Sequence, residues 1–247
     1  YSNISENYRS VTFADISISN PAYSINPEIS DENGFTYDIG FRGDYLKKVS
    51  FDVGFFSLFY NDRIGFVQKA YSDGRVKSEK GNVGNAVIYG LESLIDFDLN
   101  EMFIKNNDLS MNFFVNSSLI NSEYTESEVP GVKGREVEFV PNLNFKSGLK
   151  FGLKNLVMNL QYTYLSKQFT DASNANDGNL SGVIGQIPKY SILDFSSSYT
   201  LKKIKLEMGV NNLLNEYYFT RRATGYPGPG IIPSEPRSFY LTIQIKI

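Results

Sequence analysis

The sequence predicts an all-β chain that folds as a transmembrane antiparallel β-barrel. Residues 237–247, RSFYLTIQIKI, alternate strictly, and one face of the predicted strand carries Phe239, Leu241, Ile243, Ile245 and Ile247. This stretch of eleven residues exceeds the about five or six that are typical of soluble strands. It fits the roughly 9–11 residues that a tilted strand needs to cross a membrane. Long loops and short turns also alternate along the chain, as they do in outer-membrane barrels.

Alternating apolar and polar residues predict about ten strands in the chain of 247 residues. In order, they cover residues 1–13, 35–43, 49–69, 89–99, 109–116, 143–151, 156–164, 191–199, 204–211 and 237–247. Segment 49–69 is the longest, and there Val49, Phe51 and Val53 lie on the face opposite to Ser50 and Asp52. Each strand is therefore predicted to have one apolar face and one wet face.

The connections between these strands are of two kinds. Long polar or Gly/Pro-rich loops are predicted at 14–34, 70–85, 123–138, 170–187 and 219–236, and short turns at 44–48, 100–108, 152–155 and 201–203. Antiparallel pairing puts all the loops at one end, which we expect to be extracellular, and all the turns at the periplasmic end. Aromatic residues near the loop ends, such as Phe59, Tyr60 and Tyr217, fit a membrane-interface girdle. A soluble β-sandwich is the alternative, and such long strands disfavour it.

The composition bounds the possible functions. No apolar run reaches the length of a membrane-spanning helix. The chain contains no Cys and no His, which removes thiolate chemistry, imidazole bases and nearly all zinc sites, and no intrinsic cofactor is expected. A net charge of −3 without a basic cluster argues against nucleic acid as a partner. Because the chain starts at Tyr1 without Met or a signal peptide, we expect a fragment or a processed piece.

Three stretches resemble the C-terminal half of TonB-dependent outer-membrane receptors. The first is ENYRSVTF followed by NPAYSINPEISDENGFTYDIGFRG at 20–43. The second is FFSLFYNDRIGFV at 55–67 with NVGNAVIYGLE at 82–92. The third is GVNNLLNEYYFTRRATGYPGPGIIPSEPRSFYLTI at 209–243, whose loop FTRRATGYPGPGIIP looks most like receptors of the ferric dicitrate type. Together they follow the order of the family from one end of the chain to the other.

The resemblance implies a bacterial outer-membrane barrel of about 22 strands, occluded by an N-terminal plug and energised by the TonB complex. Residues 1–247 would form the C-terminal portion of the barrel, about ten strands, without the plug, the N-terminal strands or the TonB-contacting segment. Membrane lipid would surround the strands, and a surface lipoprotein is a further candidate partner. The implied function is active uptake of a ferric chelate, such as ferric citrate or a siderophore.

Six residues are candidates for contact with an anionic chelate, because Arg forks bind carboxylates through two parallel hydrogen bonds. Arg221, Arg222 and Tyr226 lie in the loop that resembles the ferric dicitrate group. The other candidates, Arg42, Arg63 and Gln161, lie on wet faces of predicted strands, which face the lumen of a wide barrel. The alternatives are structural: the loop residues would hold the loop together, and the lumenal residues would solvate the pore or bind the plug.

Other functions compete with uptake of a ferric chelate. The ten strands could form a passive pore or a small barrel that closes on itself, or part of a TonB-dependent receptor for another nutrient. An outer-membrane protease or phospholipase is the weakest alternative, because such enzymes rely on His and the chain has none. No catalytic residue and no metal-ligand set is predicted, so the chain is not expected to be an enzyme.

Overall fold

A computed structural model describes residues 1–17, 23–72, 74, 76–180, 182–223 and 230–246. Its elements in chain order are β1 (Ser2–Arg9), α1 (Phe13–Ile16), β2 (Tyr23–Ile25), β3 (Glu32–Tyr45), β4 (Val49–Ala70), β5 (Val76–Asp98), a π-helical turn (Asn100–Ile104), β6 (Leu109–Glu126), β7 (Leu143–Leu153), β8 (Leu156–Leu165), β9 (Tyr190–Leu201), β10 (Ile204–Asn211), β11 (Phe219–Ala223), β12 (Gly230–Pro233) and β13 (Ser238–Ile245). Within the described ranges, the helices fall short of the length and apolar character that a membrane span requires. Ile247, predicted on the apolar face of the last strand, lies outside the described residues.

The strands form one large antiparallel sheet in the order β1-β3-β4-β5-β6-β7-β8-β9-β10-β13. This confirms the predicted fold of about ten antiparallel strands. Two features depart from the simple order within the described residues. Strand β2 pairs in parallel with the loop-side part of β5, where Tyr23 lies opposite Ser78. Strands β11 and β12 form a separate hairpin, which we call the rim hairpin.

The pairing register aligns the apolar residues of neighbouring strands in rows. Ile39, Phe55, Leu91 and Leu119 are successive partners across β3 to β6, and all four side chains are exposed. One position further along, the row Gly40, Gly54, Glu92 and Ser118 faces the other way. The wall of the fold is thus a single layer with an exposed apolar face and a polar face, as a barrel wall in lipid requires.

The short turns close tightly, as predicted. Leu46 and Lys47 have φ of 52° and 56°, and Lys154 and Lys202 have φ of 51° and 52°. The two-residue hairpins at 154–155 and 202–203 favour this left-handed backbone because its twist matches that of the strands. The turn predicted at 100–108 contains the π-helical turn. The residue that follows this helical turn, Lys105, has a φ of 56°.

Two predicted loops prove shorter than expected. Strand β5 begins at Val76, so most of the predicted loop 70–85 is a strand that pairs with β4. Strand β5, with 23 residues, is therefore the longest, and not the segment 49–69. Likewise β6 continues to Glu126 into the predicted loop 123–138. Alternation of apolar residues fails to mark these extensions, because their side chains pack against loops and not against lipid.

Candidate functional site

The long loops pack into one body at their end of the sheet. Its buried side chains, which we call the loop core, are Val83, Ala86, Ile88, Tyr124, Val132, Val137 and Ala172. Backbone hydrogen bonds join the loops to one another and to the sheet. The amide of Phe139 donates to the carbonyl of Phe169 in the next loop at 2.8 Å, and that of Ala172 to the carbonyl of Phe66 in β4 at 2.9 Å. The loops are therefore held in a defined arrangement above the wall.

Arg63, one of the predicted ligand contacts, lies in a charge network within this body. Its side chain is 18% exposed, and Nη2 is 3.8 Å from Oε1 of Glu138, which is 3% exposed. The hydroxyl of Tyr124 donates to Oε2 of the same carboxylate at 2.7 Å, and the guanidinium lies 5.4 Å from the ring centre of Tyr60. Sequence reasoning misses Glu138 and Tyr124, because both lie in the stretch predicted as a charged loop. These contacts bind Arg63 to the loop core.

Arg222 anchors the rim hairpin to the neighbouring loop. Its Nη1 donates to the carbonyl of Gly182 at 2.8 Å and its Nη2 to the carbonyl of Gln186 at 2.9 Å. The guanidinium also lies 5.2 Å from the ring centre of Phe219. Burial lowers the pKa of Arg222, since it disfavours the charged form. The fork of this side chain is thus used to join two loops.

Arg221, the adjacent residue, is presented to solvent. Its side chain is exposed, and among the described residues it takes part in none of the ion pairs. The two adjacent arginines of the hairpin therefore differ: Arg222 makes contacts between loops, and Arg221 is exposed to solvent. Tyr226, the third candidate of this loop, lies outside the described residues.

The remaining two candidates lie on the wall, away from the rim hairpin. The Nε of Arg42 donates to Oδ2 of Asp52 at 2.8 Å, and its guanidinium lies 5.7 Å from the ring centre of Tyr1. Arg42 is near the turn that begins at Leu46, at the end of the sheet opposite to the long loops. Gln161 is exposed in the middle of β8. The structure does not bring these two side chains together with Arg221.

Asn212 closes the base of the last loop, a role that the sequence prediction does not include. It is buried, with φ of 52°. Its side chain accepts a hydrogen bond from the amide of Glu216 at 2.8 Å and donates to the carbonyl of the same residue at 2.9 Å. Its own amide donates to Oδ1 of Asp194 at 2.8 Å. Asn is among the few residues that tolerate this backbone. The position of Asn212 in the stretch NNLLNEYY was therefore the sequence signal that could have indicated this role.

No group of three or more His, Cys, Asp or Glu side chains that could hold a metal ion occurs in the described ranges.

The family model described as TonB dependent receptor-like, beta-barrel, matches residues 1–213. Comparison with curated protein sequences gives no match. Among solved structures, the ferric citrate transporter FecA in its unliganded form is similar, with a TM-score of 0.70 and 22% identity over 87% of this chain and 31% of that one.

Two further structures share this fold. The copper transporter OprC gives a TM-score of 0.71 at 15% identity, over 99% of this chain and 36% of its own. The ferric yersiniabactin uptake receptor FyuA from Yersinia pestis gives a TM-score of 0.68 at 18% identity, over 99% of this chain and 34% of its own. The chain thus spans about a third of the length of each of these three structures.

Proposed function

Because the chain belongs to the family of TonB-dependent receptor-like β-barrels, we propose that it forms part of a receptor for active uptake of a ferric chelate. Barrels of this family lie in the outer membrane, and the ten-stranded sheet is a portion of such a barrel. In this proposal residues 1–247 are the C-terminal portion, and other parts of the receptor supply a plug and the contact with TonB. The barrel performs no chemistry: it supplies a binding rim and a conduit.

The observation that carries the proposal is the arrangement of the two arginines in the rim hairpin. Ferric citrate and many siderophore complexes present carboxylates or other anionic oxygens, which an Arg fork binds through parallel hydrogen bonds. Arg222 holds the strand through Gly182 and Gln186, so Arg221 is presented from a fixed backbone. Such pre-organisation lowers the entropy cost of binding.

The similar structures support a chelate as the ligand without selecting one. Two of them are a ferric citrate transporter and a ferric yersiniabactin uptake receptor, while the third is a copper transporter. A receptor for another nutrient and a passive pore are the alternatives. The exposed cation at the rim favours an anionic ligand over a free metal cation, because like charges repel.

Binding of ferric citrate to the full-length receptor tests the role of Arg221. Replacing Arg221 by Ala removes hydrogen bonds to a charged group, and we expect about a tenfold to hundredfold weaker affinity. Arg221→Lys keeps the charge and loses the fork, so its affinity should fall between those of the parent and of Arg221→Ala. Lys133→Ala, which removes an exposed cation from another loop, is the matched control and should bind like the parent. Equal affinities of all four proteins would contradict the proposal.

Energy dependence distinguishes active uptake from a passive pore. Cells that express the full-length receptor should accumulate labelled ferric citrate only when TonB is present and the inner membrane is energised. Accumulation that persists after removal of TonB would indicate the pore. The receptor could bind a different ferric siderophore in place of ferric citrate. If Arg221→Ala weakens that binding, the result supports the proposal and changes only the identity of the chelate.

A further inference from the structure

The short-turn end of the sheet carries a regular set of lysines, all exposed except the half-buried Lys48. Four successive short turns contain the set that we call the lysine rim: Lys47, Lys48, Lys105, Lys154, Lys202 and Lys203. The residues of these turns, 46–48, 99–108, 154–155 and 202–203, include only two carboxylates, those of Glu101 and Asp108. The turns are therefore strongly basic, although the chain as a whole has a net charge of −3.

Hydrogen bonds between neighbouring turns hold the lysine rim at one level. The amide of Asp98 donates to the carbonyl of Lys48 at 2.8 Å, and the amide of Lys154 to the carbonyl of Asp108 at 3.1 Å. At the far end, the amide of Lys246 donates to the carbonyl of Lys203 at 2.8 Å. The backbone ladder thus continues into the turns, and the lysines follow one edge of the wall.

Each turn also exposes apolar side chains beside its lysine. The exposed fractions are 63% for Tyr45 and 67% for Leu46, and 75% for Phe103. Leu153 and Leu201, which directly precede Lys154 and Lys202, are 41% and 53% exposed. Tyr45, Leu153 and Leu201 share the apolar face of the sheet with the rows described above. The edge therefore combines a membrane-facing apolar residue with a cation in turn after turn.

Within the described residues, the lysine rim has no acidic partner. The described lysines that form ion pairs are not members of the rim: Lys69 pairs with Glu79, Lys80 with Asp15 and, on β10 beside the last turn, Lys205 with Glu207. A cleft of about 430 Å³ opens at the end of β10 and β13, and Lys202, Lys203, Lys205 and Lys246 line it. Six ammonium groups against two carboxylates leave the turns with an excess of positive charge that an external anion can neutralise.

We propose that the lysine rim binds the phosphate groups of anionic phospholipids in the leaflet that surrounds the short-turn end. The apolar neighbours enter the acyl region, while the flexible lysine stems extend the ammonium groups to the headgroup level. Phosphatidylglycerol fits this edge, since it offers one net negative charge for each lipid. Each lysine contributes electrostatic attraction to the binding of anionic lipid, and salt weakens this attraction by screening it.

Lipid preference of the full-length receptor in nanodiscs tests the proposal. Nanodiscs of phosphatidylcholine and of phosphatidylcholine with phosphatidylglycerol are compared, and the phosphatidylglycerol retained by the protein is measured by native mass spectrometry. We expect the parent receptor to retain phosphatidylglycerol preferentially. The triple variant Lys47→Gln, Lys154→Gln and Lys202→Gln should lose about fivefold in this preference per lysine. High salt should reduce the preference of the parent protein as well.

Two matched variants distinguish headgroup binding from general effects of charge and folding. Lys133→Gln, Lys167→Gln and Lys189→Gln remove three exposed cations at the long-loop end and should leave the preference unchanged. A triple Lys→Arg variant of the same three rim positions keeps the charges and should retain it. Full preference in the rim Gln variant, equal loss in the two Gln variants, or loss in the Arg variant would each overturn the proposal.

Discussion

The two ends of the sheet are built in opposite ways. At the long-loop end, the loops and the adjacent parts of β4, β5 and β6 hold all the buried apolar side chains of the described residues. Buried carboxylates such as Asp15 and Glu138 accompany them, each beside a cation. At the short-turn end, large apolar side chains such as Leu46 and Phe103 are exposed, and the lysines beside them are unpaired within the described part of the chain.

This difference shows which solvent each end is built for. The wall and the turns leave apolar surface open because lipid covers it, so they need no second layer. The loops extend beyond the lipid into water, where they must bury apolar surface of their own to remain ordered. A rim that carries its own core can present a side chain such as Arg221 in a fixed position. Three predictions follow this division, in order of decreasing effect.

Glu138→Ala should loosen the loop core and leave the wall intact. The change leaves the half-buried Arg63 without its carboxylate and the hydroxyl of Tyr124 without its acceptor. Removing one partner of a buried ion pair costs about 3–5 kcal/mol. In the full-length receptor, hydrogen exchange of the amides around Val132 and Val137 should accelerate, while that of the strands below should not change.

Glu123→Ala is the matched control for this variant. Glu123 lies near the end of β6 and its side chain is exposed, so its removal should leave hydrogen exchange in the loops as it is in the parent. If Glu138→Ala behaves like Glu123→Ala, the loops do not depend on the network. If it also accelerates exchange throughout β6 to β9, the two ends are not independent.

Acid should detach the segment that contains α1. Oδ1 of Asp15 accepts hydrogen bonds from Nη2 of Arg9 and is paired with Nζ of Lys80, both at 2.7 Å, and Oδ2 accepts from the amide of Thr12 at 2.8 Å. Burial alone would raise the pKa of Asp15, but the bonds from Lys80 and Thr12 outweigh it and lower the pKa. The carboxylate therefore stabilises the fold above the unfolded pKa of about 3.9. This contribution is lost as the pH falls from there through the lower folded pKa.

The corresponding measurement is hydrogen exchange of residues 10–17 as a function of pH, corrected for the intrinsic rates. Protection should fall below about pH 4 in the parent. Asp15→Asn should lose about 2 kcal/mol of protection at neutral pH, because Lys80 loses its carboxylate and Arg9 keeps only its longer pair with Glu32. Its protection should vary little with acid. Asp44→Asn, an exposed carboxylate near the first short turn, should behave like the parent. A parent segment that stays protected through acid would refute this role of Asp15.

Alternation in the sequence was sufficient to predict the wall. In β7 and β8, for example, Leu149 and Leu160 are paired as two apolar residues of one face, because each lies an even number of residues from the pair Leu153 and Leu156 that flanks the turn. The pattern is local, since one side of each strand meets lipid along its whole membrane-crossing length. Where lipid no longer covers the strand, as in the first part of β5, the apolar residues no longer alternate, and the predicted strand is therefore too short.

The roles of the candidate site residues could not be predicted in the same way, because they depend on partners far away in the chain. Arg63 is bound by Glu138 and Arg222 by the carbonyls of Gly182 and Gln186. No local pattern distinguishes Arg222 from its neighbour Arg221. The sequence identified the loop that carries both arginines, and only the packing of the loops shows which of them faces solvent.

The smallest of the three effects concerns the wall, where an aromatic ring lies against a glycine of the neighbouring strand. A Cβ on Gly148 would clash with Cε1 of Phe114, its cross-strand partner, and would lie 3.1 Å from the carbonyl oxygen of Leu160. Gly148→Ala should therefore destabilise the wall by about 1–3 kcal/mol through overpacking. The full-length receptor should unfold at a lower temperature, as measured by its heat-dependent shift in gel mobility, while exchange in the loop core remains unchanged.

A second substitution identifies the cause of this loss. Phe114→Leu combined with Gly148→Ala removes the ring that the new methyl group would meet, so the double variant should recover part of the lost stability. Ser147→Ala, on the opposite face of the same strand, should unfold like the parent. Failure of the double variant to recover would place the strain at the backbone of Leu160, and an unchanged unfolding temperature in Gly148→Ala would show that the wall absorbs the methyl group. In either case the loop core should stay protected, because it is stabilised by contacts above the lipid and not by the wall beneath it.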